Sequence, residues 1–581
     1  MCELLRTLLK SVREYRFQTI ISPLFVVSET AIETFIPFLM AAIIDQGIRP
    51  GHLSVVLRIG ILLLLMSVVS LTCGASASWF SSQAAAGFAK NLRHDIFSQV
   101  QTFSFQNLDH FATSSLVTRL TTDITNIQTA YQMLIRVAVR APSMLLFSII
   151  MAFLVSSQAG WLFVFVVPVL AVGLFWIVKH SRPLFRQVFK QYDKLNRVVR
   201  ENLRGIRVVK TYGQQGAEIS KFRQSAKEIA QVFAKAQRIV AFNMPLMQFV
   251  ISTTMLILSW LGAKLIVGKT LQIGQFVSLF TYSTSILFSL NMLAMIFSQL
   301  SVSQASAERV VEVLETAPDI VAQPDAETEA SDGSIDFEHV TFRYPGSDED
   351  QLNDVNLHIP SGAVVGIIGE TGTSKTTLVS LIPRLYDVAS GTVRVGGKDV
   401  RQYALKTLRD QVAMVLQNTI LFSGTIRENL RWGDPDATDE QLNRVLQEAQ
   451  AKDFVDSLPD GLDTKIEQTG QNVSGGQRQR LTIARALLKQ PKILILDNAT
   501  SATDTQTEAR IRQAFKRDLP HVTKLMITQR VDSIIDADQI IIMRRGGIEA
   551  IGTHVELLAN NQWYRELYQA QQKQGGGETH E

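Results

Sequence analysis

The run AVVGIIGETGTSKTTLVSL at residues 363–381 decides how this chain must be read. Ala363 to Gly369 is apolar or glycine throughout, the composition of a short strand buried on both faces. It passes directly into Gly369-Glu370-Thr371-Gly372-Thr373-Ser374-Lys375-Thr376, and Thr377 to Leu385 then reads as a helix. A glycine-containing loop between strand and helix lets backbone N–H groups curl around phosphates, and the start of the helix adds partial positive charge. In such a loop Lys375 reaches the outer phosphates of a nucleotide and Thr376 holds Mg²⁺. Ser374 is a departure, since glycine normally precedes the lysine.

Two stretches farther along support this reading. KILILD is an apolar strand ending in Asp497, where a carboxylate can hold Mg²⁺ through water. Between the two strands, VSGGQRQR (473–480) opens the helical run LTIARALL, with a serine and two glycines where a helix N-terminus could meet an anion. Strand-like and helical runs alternate after residue 334, the pattern of an α/β domain.

Upstream the composition changes. The chain has 581 residues, too many for one compact domain, with 46% apolar and 19% charged residues. Cys2 and Cys73 are its only cysteines, so neither a disulfide framework nor a cysteine metal site is expected. The net charge of +4 does not call for a nucleic-acid partner. Six apolar runs, all before residue 300, are long enough to cross a bilayer: Thr19–Ile44, Val56–Trp79, Val137–Ser156, Trp161–Val178, Met244–Val267 and Phe276–Phe297. The connection from Ser181 to Ala241 carries fourteen Lys and Arg, which places it and both termini in the cytoplasm. Both long connections, Phe88–Gln132 and Ser181–Ala241, keep helical periodicity, so the membrane helices are expected to extend well beyond the bilayer. Breaks around Asn107–Ser114 and Gly213–Gly216 leave room for short cross-helices.

The resulting division is an interfacial helix at 1–18, a six-helix all-α membrane domain at 19–314, an acidic small-residue linker at 315–334, an α/β nucleotide-binding domain at 335–572 and a tail at 573–581. Glu29 and Glu33, four apart in the first span, share one helix face. Two carboxylates in hydrocarbon are expensive, so they should face a cavity or a partner cation. Recognition of cationic amphipathic substrates and a purely structural pairing are both open.

With these motifs in this order, the chain resembles the ATP-binding cassette (ABC) exporters that join a membrane domain and a nucleotide-binding domain on one polypeptide. The resemblance covers nearly the whole length. It implies ATP contacts at Tyr344, whose ring would meet adenine, and at Gly369, Glu370, Thr371, Gly372, Thr373, Ser374, Lys375, Thr376 and Thr377. It implies Mg²⁺ at Thr376, Gln417 and Asp497. It makes Ser474, Gly475, Gly476 and Gln477 the signature that completes a partner's ATP site, and Ser501 to Asp504 the D-loop. FQNLDHFATSSLVTRLTTDI and ENLRGIRVVKTYGQQ match the family's intracellular coupling regions.

Two departures bear on mechanism. After Asp497 the family carries a glutamate that polarises water, and this chain has Asn498. In the switch the family carries a histidine, and this chain has Gln529. Neither amide accepts a proton near neutral pH. Asn498 alone could be an introduced change that traps ATP; a second loss at Gln529 favours evolved degeneracy. The resemblance thus implies the degenerate-site subunit of a heterodimeric bacterial multidrug-type exporter. Such a subunit sits in the plasma membrane, hydrolyses ATP weakly at its own Walker site and moves hydrophobic compounds, drugs or lipids. A regulatory ABC subunit or ATP-gated channel is the alternative reading.

Overall fold

The computed structural model describes residues 2–321, 327, 330–499 and 503–575. The chain divides into two compact units, Met1–Gln101 with Ser114–Glu315, and Thr102–Thr113 with Thr316–Glu581. The first turn-back of the helical region, expected as part of the membrane domain, therefore belongs to the second unit.

The first unit is helical. Among the described residues, six helical stretches are long and apolar enough to cross a membrane: Leu4–Ile48, Leu53–Thr102, Thr113–Val155, Ser157–Arg204, Gln215–Val267 and Ile273–Ile296. Each contains or overlaps one expected span. The 50-residue helix Leu53–Thr102 is about 75 Å long at 1.5 Å per residue, against about 30 Å of hydrocarbon. Extension beyond the bilayer follows from length alone. Large side chains such as Leu71 (71% exposed) and Phe165 (70% exposed) point outward, which suits lipid and not water.

Several polar groups inside this unit find partners, which lowers the cost of placing them in a low-dielectric interior. Tyr282, fully buried, donates to the Thr34 carbonyl at 3.0 Å. Asp45 accepts from the Gly274 and Gln275 N–H groups at 2.8 and 3.1 Å, which satisfies the start of the helix Ile273–Glu315. Gly262 is required by close approach, because a Cβ there would lie 2.2 Å from the Phe276 ring.

Three expected boundaries shift. The N-terminal segment is not one helix: Cys2–Leu9 is followed by a tight turn at Lys10–Tyr15, where Arg13 has φ 40°, and the first membrane helix starts at Arg16. Asp95 accounts for the break, since it accepts from Ser11 and Arg13, both at 2.6 Å. The second cross-helix forms at Ile206–Thr211, ahead of the expected Gly213–Gly216, where Gly213 (φ 62°) makes the turn. The last helix, Gln562–Gly575, runs past residue 572.

In the second unit a six-stranded sheet has the order Gly547–Gly552, Gln539–Arg544, Val364–Ile368, Thr523–Ile527, Ile493–Asp497, Val412–Val415. Its pairings are parallel except at the Gly547–Gly552 edge. The four central strands are buried on both faces, which is why they read as uninterrupted apolar runs. A second, antiparallel sheet carries Leu352–Ile359, Ile335–Phe342, Ser390–Val395 and Lys398–Asp399 in that order. The first expected cross-helix is present at Phe105–His110, with Ser104 and Asn107 forming a reciprocal cap. Asn107 also donates to Asp319 Oδ2 at 2.8 Å, and Tyr386 donates to Asp109 Oδ2 at 2.7 Å, so this short helix is held within the second unit at two points.

Candidate functional site

The parallel strands Val364–Ile368 and Ile493–Asp497 both end at the same edge of the sheet, on either side of Thr523–Ile527. This places the 369–376 loop beside Asp497. Gly369 has no room for a side chain, since a Cβ would sit 2.3 Å from the Met543 carbonyl. Gly372 turns the loop at φ 85°, and Ser374 adopts a left-handed conformation at φ 64° just before the helix. That helix is Lys375–Ser380, shorter than the expected Thr377–Leu385. Pro383 disfavours helical geometry in the residue before it, and Arg384 turns out at φ 51°.

Lys375 is buried, and its ammonium donates to the Gly369 carbonyl at 2.9 Å, the Glu370 carbonyl at 2.6 Å and Thr373 Oγ1 at 3.2 Å. Burial lowers its pKa, partly offset by the Asp497 charge. Thr376 donates to Asp497 Oδ2 at 2.7 Å. Asp497 is 1% exposed, and its Oδ1 has no hydrogen-bond partner among the described residues. Burial raises its pKa, against the pull of the Thr376 hydroxyl and Lys375. A hydroxyl and a carboxylate in contact, with one buried carboxylate oxygen unsatisfied, are a donor set suited to Mg²⁺, which takes oxygen ligands and keeps several waters.

A cleft of about 320 Å³ brings together Gln417, Asn498, Glu508, Thr528, Gln529, Arg530 and Ser533. Three expected site residues from distant parts of the chain thus meet. Asn498 is left-handed at φ 49°, a conformation asparagine tolerates, and its N–H bonds the Ile527 carbonyl at 3.0 Å. Glu508 and Arg530 were not singled out from sequence; they face each other at 3.8 Å across this cleft. The switch is held from behind by the C-terminal helix, where Gln571 accepts from the Val531 N–H at 2.8 Å and donates to the Gln529 carbonyl at 2.7 Å.

A second cleft, about 450 Å³, is lined by Ser474, Gly475, Gly476, Gln477, Arg480, Thr503, Asp504 and Thr507. Ser474 caps the helix Gly475–Leu488 reciprocally with Gln477, at 3.3 Å and 2.9 Å. Asp504 caps the next helix by accepting from the Thr507 N–H at 2.8 Å. Ser501 lies outside the described residues. Tyr344 stands apart from both clefts' lining residues. It meets Phe342 and Tyr386 edge-on, at 4.9 and 5.3 Å, and its hydroxyl bonds Thr377 at 3.0 Å.

Two family models match the chain in sequence: the ABC transporter transmembrane region over residues 19–290 and the ABC transporter domain over residues 352–501. The uncharacterized ABC transporter ATP-binding protein YfiB of Bacillus subtilis (strain 168) is 34% identical over 571 residues, 98% of this chain and 99% of YfiB. The chain belongs to the ABC transporter family. An ATP-dependent lipid A-core flippase of Desulfotalea psychrophila is 30% identical over 483 residues, 83% of this chain and 84% of the flippase. The solved structure of a bacterial Atm1-family ABC exporter with ATP bound shares the fold, with TM-score 0.82 and 22% identity over 96% of this chain and 99% of that one. This ABC transporter is a multi-pass membrane protein whose nucleotide-binding domain implies ATP-driven transport.

Of the expected membrane contacts, Glu29 and Glu33 share one partner cation. Both are engaged by Arg140 of the third membrane-crossing stretch, at 2.7 Å each. The partner cation expected from sequence is thus present. Arg140 was overlooked because it lies inside a run that otherwise reads as apolar.

Proposed function

We propose that this ABC transporter is one half of a heterodimeric exporter that moves hydrophobic or amphipathic compounds, drugs or lipids, out of the cytoplasm or the inner leaflet. In this reading its own Walker site binds ATP and hydrolyses it poorly. The observation that carries the proposal is the cleft beyond Asp497. Asn498 and Gln529 line it together with Gln417, and the only carboxylate among its lining residues, Glu508, faces Arg530.

Phosphoryl transfer depends on positioning and on charge stabilisation. Lys375 and the 369–376 backbone would hold the outer phosphates, and Tyr344 would pack on the base. Mg²⁺, held by Thr376, Asp497 and Gln417, would neutralise charge on the phosphate oxygens. Gln529 can donate a hydrogen bond to a phosphate oxygen and Asn498 can orient a water, but neither takes its proton. The signature is intact apart from Val473, where the family more often has leucine, and Ser474 caps its helix. It would complete a partner's site, where that partner supplies the missing carboxylate. The nucleotide-binding domain, both termini and the basic Ser181–Ala241 segment lie in the cytoplasm, and the chain resides in the plasma membrane. Similarity to a lipid A-core flippase supports lipids within the substrate range.

The test is steady-state ATPase of the purified pair. Ser474→Arg should abolish nearly all turnover, Lys375→Ala should give a partial loss, and Asn498→Gln should change little. Full activity in Ser474→Arg would refute the assignment.

A further inference from the structure

Glu29, Glu33 and Arg140 form a cluster whose charges do not balance. Arg140 Nη1 donates to Glu29 Oε1 at 2.7 Å, and its Nη2 donates to Glu33 Oε1 and Oε2 at 2.9 and 2.7 Å. Both Glu33 oxygens are thereby satisfied. Glu29 Oε2 is not: the Glu29 side chain is nine-tenths buried and this oxygen has no partner among the described residues. Arg136, one turn earlier, makes no bond to this oxygen; its Nη1 donates to Ser78 at 3.1 Å. One guanidinium against two carboxylates leaves the directly bonded triad with one negative charge in excess, while the Arg136 guanidinium one turn away rests on the neutral Ser78 hydroxyl.

The surroundings are shaped around the unsatisfied carboxylate. On the second membrane-crossing helix, Gly74 comes so close that a Cβ would lie 2.6 Å from Glu29 Oε1. Any larger residue would displace the carboxylate. One turn toward the N-terminus of the first helix, Phe25 stacks on Phe80 of the second, with centroids 5.9 Å apart and rings within 4° of parallel. An unpaired carboxylate oxygen one helical turn from aromatic surface complements a positive charge on an apolar body. A Ca²⁺ ion is a poor match, because it takes six to eight oxygen ligands and the cluster has one free oxygen to offer.

We infer that Glu29 is the binding point for a single monovalent organic cation, the quaternary or protonated amine headgroup of an amphipathic substrate, with Arg140 and Glu33 setting the charge of the site. This rests on the reading of the chain as an exporter of amphipathic compounds. Affinity for the cation should follow the net charge of the cluster, which is −1 in the natural chain, 0 in Glu29→Gln or Glu33→Gln, and −2 in Arg140→Gln. A structural ion cluster behaves differently, because breaking any member disturbs packing regardless of sign.

The experiment measures equilibrium binding of tetraphenylphosphonium and of neutral triphenylphosphine oxide to the purified transporter in lipid nanodiscs. The ratio of the two affinities should fall at least tenfold in Glu29→Gln, fall in Glu33→Gln and rise in Arg140→Gln. If Arg140→Gln does not fold, the two glutamine variants still decide the matter. An unchanged ratio in Glu29→Gln overturns the site, and is also what a cluster neutralised by a bound proton would give. Equal losses for both probes in every variant overturn it in favour of a structural cluster. If the natural protein binds neither probe, the amphipath-export reading fails instead.

Discussion

Restoring a carboxylate at position 498 tests the chemistry assigned to the Walker site. Asn498 follows the strand Ile493–Asp497 directly and lines the same cleft as Gln417 and Gln529, so a glutamate there enters the space where an attacking water must sit. General-base assistance contributes roughly 10²–10⁴-fold. With Gln529 still in place the lower end applies, about 10²-fold, which corresponds to about 2.7 kcal/mol of barrier. The substitution has a structural cost. Position 498 has φ 49°, a left-handed conformation that asparagine accepts more readily than glutamate, so Asn498→Glu should lose about 1 kcal/mol of stability. Rate and stability therefore move in opposite directions. Adding Gln529→His should raise the rate further, by about tenfold.

The assay is single-turnover hydrolysis of γ-labelled ATP by the purified pair, with the partner's own Walker site disabled and ATP occupancy measured in parallel. An unchanged rate in both variants at full occupancy would refute the reasoning, because missing base chemistry could not then be what slows this site.

Three further outcomes follow from particular contacts. Asp497→Asn removes a buried charge with an unsatisfied oxygen, so without Mg²⁺ it should stabilise the nucleotide-free protein by about 1–3 kcal/mol, raising Tm by several degrees, while shrinking the Tm gain that Mg²⁺ and ATP give. Gln571→Ala removes both bonds that the C-terminal helix makes to the switch; stopped-flow release of a fluorescent ATP analogue should be about tenfold faster, and an unchanged rate would show that this latch does not hold the switch. For Asp399, burial raises the pKa, but the Arg401 guanidinium at 2.8 Å and N–H at 2.9 Å outweigh it and hold the carboxyl below its ordinary value. Its contribution is present above the unfolded pKa of about 3.9 and lost as pH falls through the lower folded value, so the loss of Tm below about pH 4 should be smaller in Asp399→Asn than in the natural chain.

What could be read from the sequence depended on how local the signal was. Apolar runs determine membrane helices by length, and the composition of 363–381 determines a strand, a glycine-containing loop and a helix in that order, so the existence of both features was recoverable. Boundaries set by distant partners were not. Asp95, some eighty residues away, holds Ser11 and Arg13 and breaks the N-terminal helix. Pro383 shortens the helix after Lys375, a local signal that was available but outweighed by the apolar pattern. The Arg140 triad shows the same limit at the candidate substrate site. Two carboxylates one turn apart were visible on the first helix, while their guanidinium partner lies more than a hundred residues on, in a run whose mean character is apolar. The pairing of Glu508, in the first turn of the helix Thr505–Asp518, with Arg530 likewise joins two segments that only the tertiary structure brings to one cleft.

In the proposed cycle the Walker site of this chain holds ATP without consuming it. The most direct measurement is the nucleotide in that site after many turnovers: the pair is run to steady state with labelled ATP and Mg²⁺, cooled and rapidly desalted, and the retained nucleotide is identified, with Lys375→Ala run in parallel to assign it to this chain. About one nucleotide per pair should be retained, predominantly ATP, and it should be lost in Lys375→Ala. Retained ADP, or brisk ATPase by a purified homodimer of this chain, would contradict this cycle.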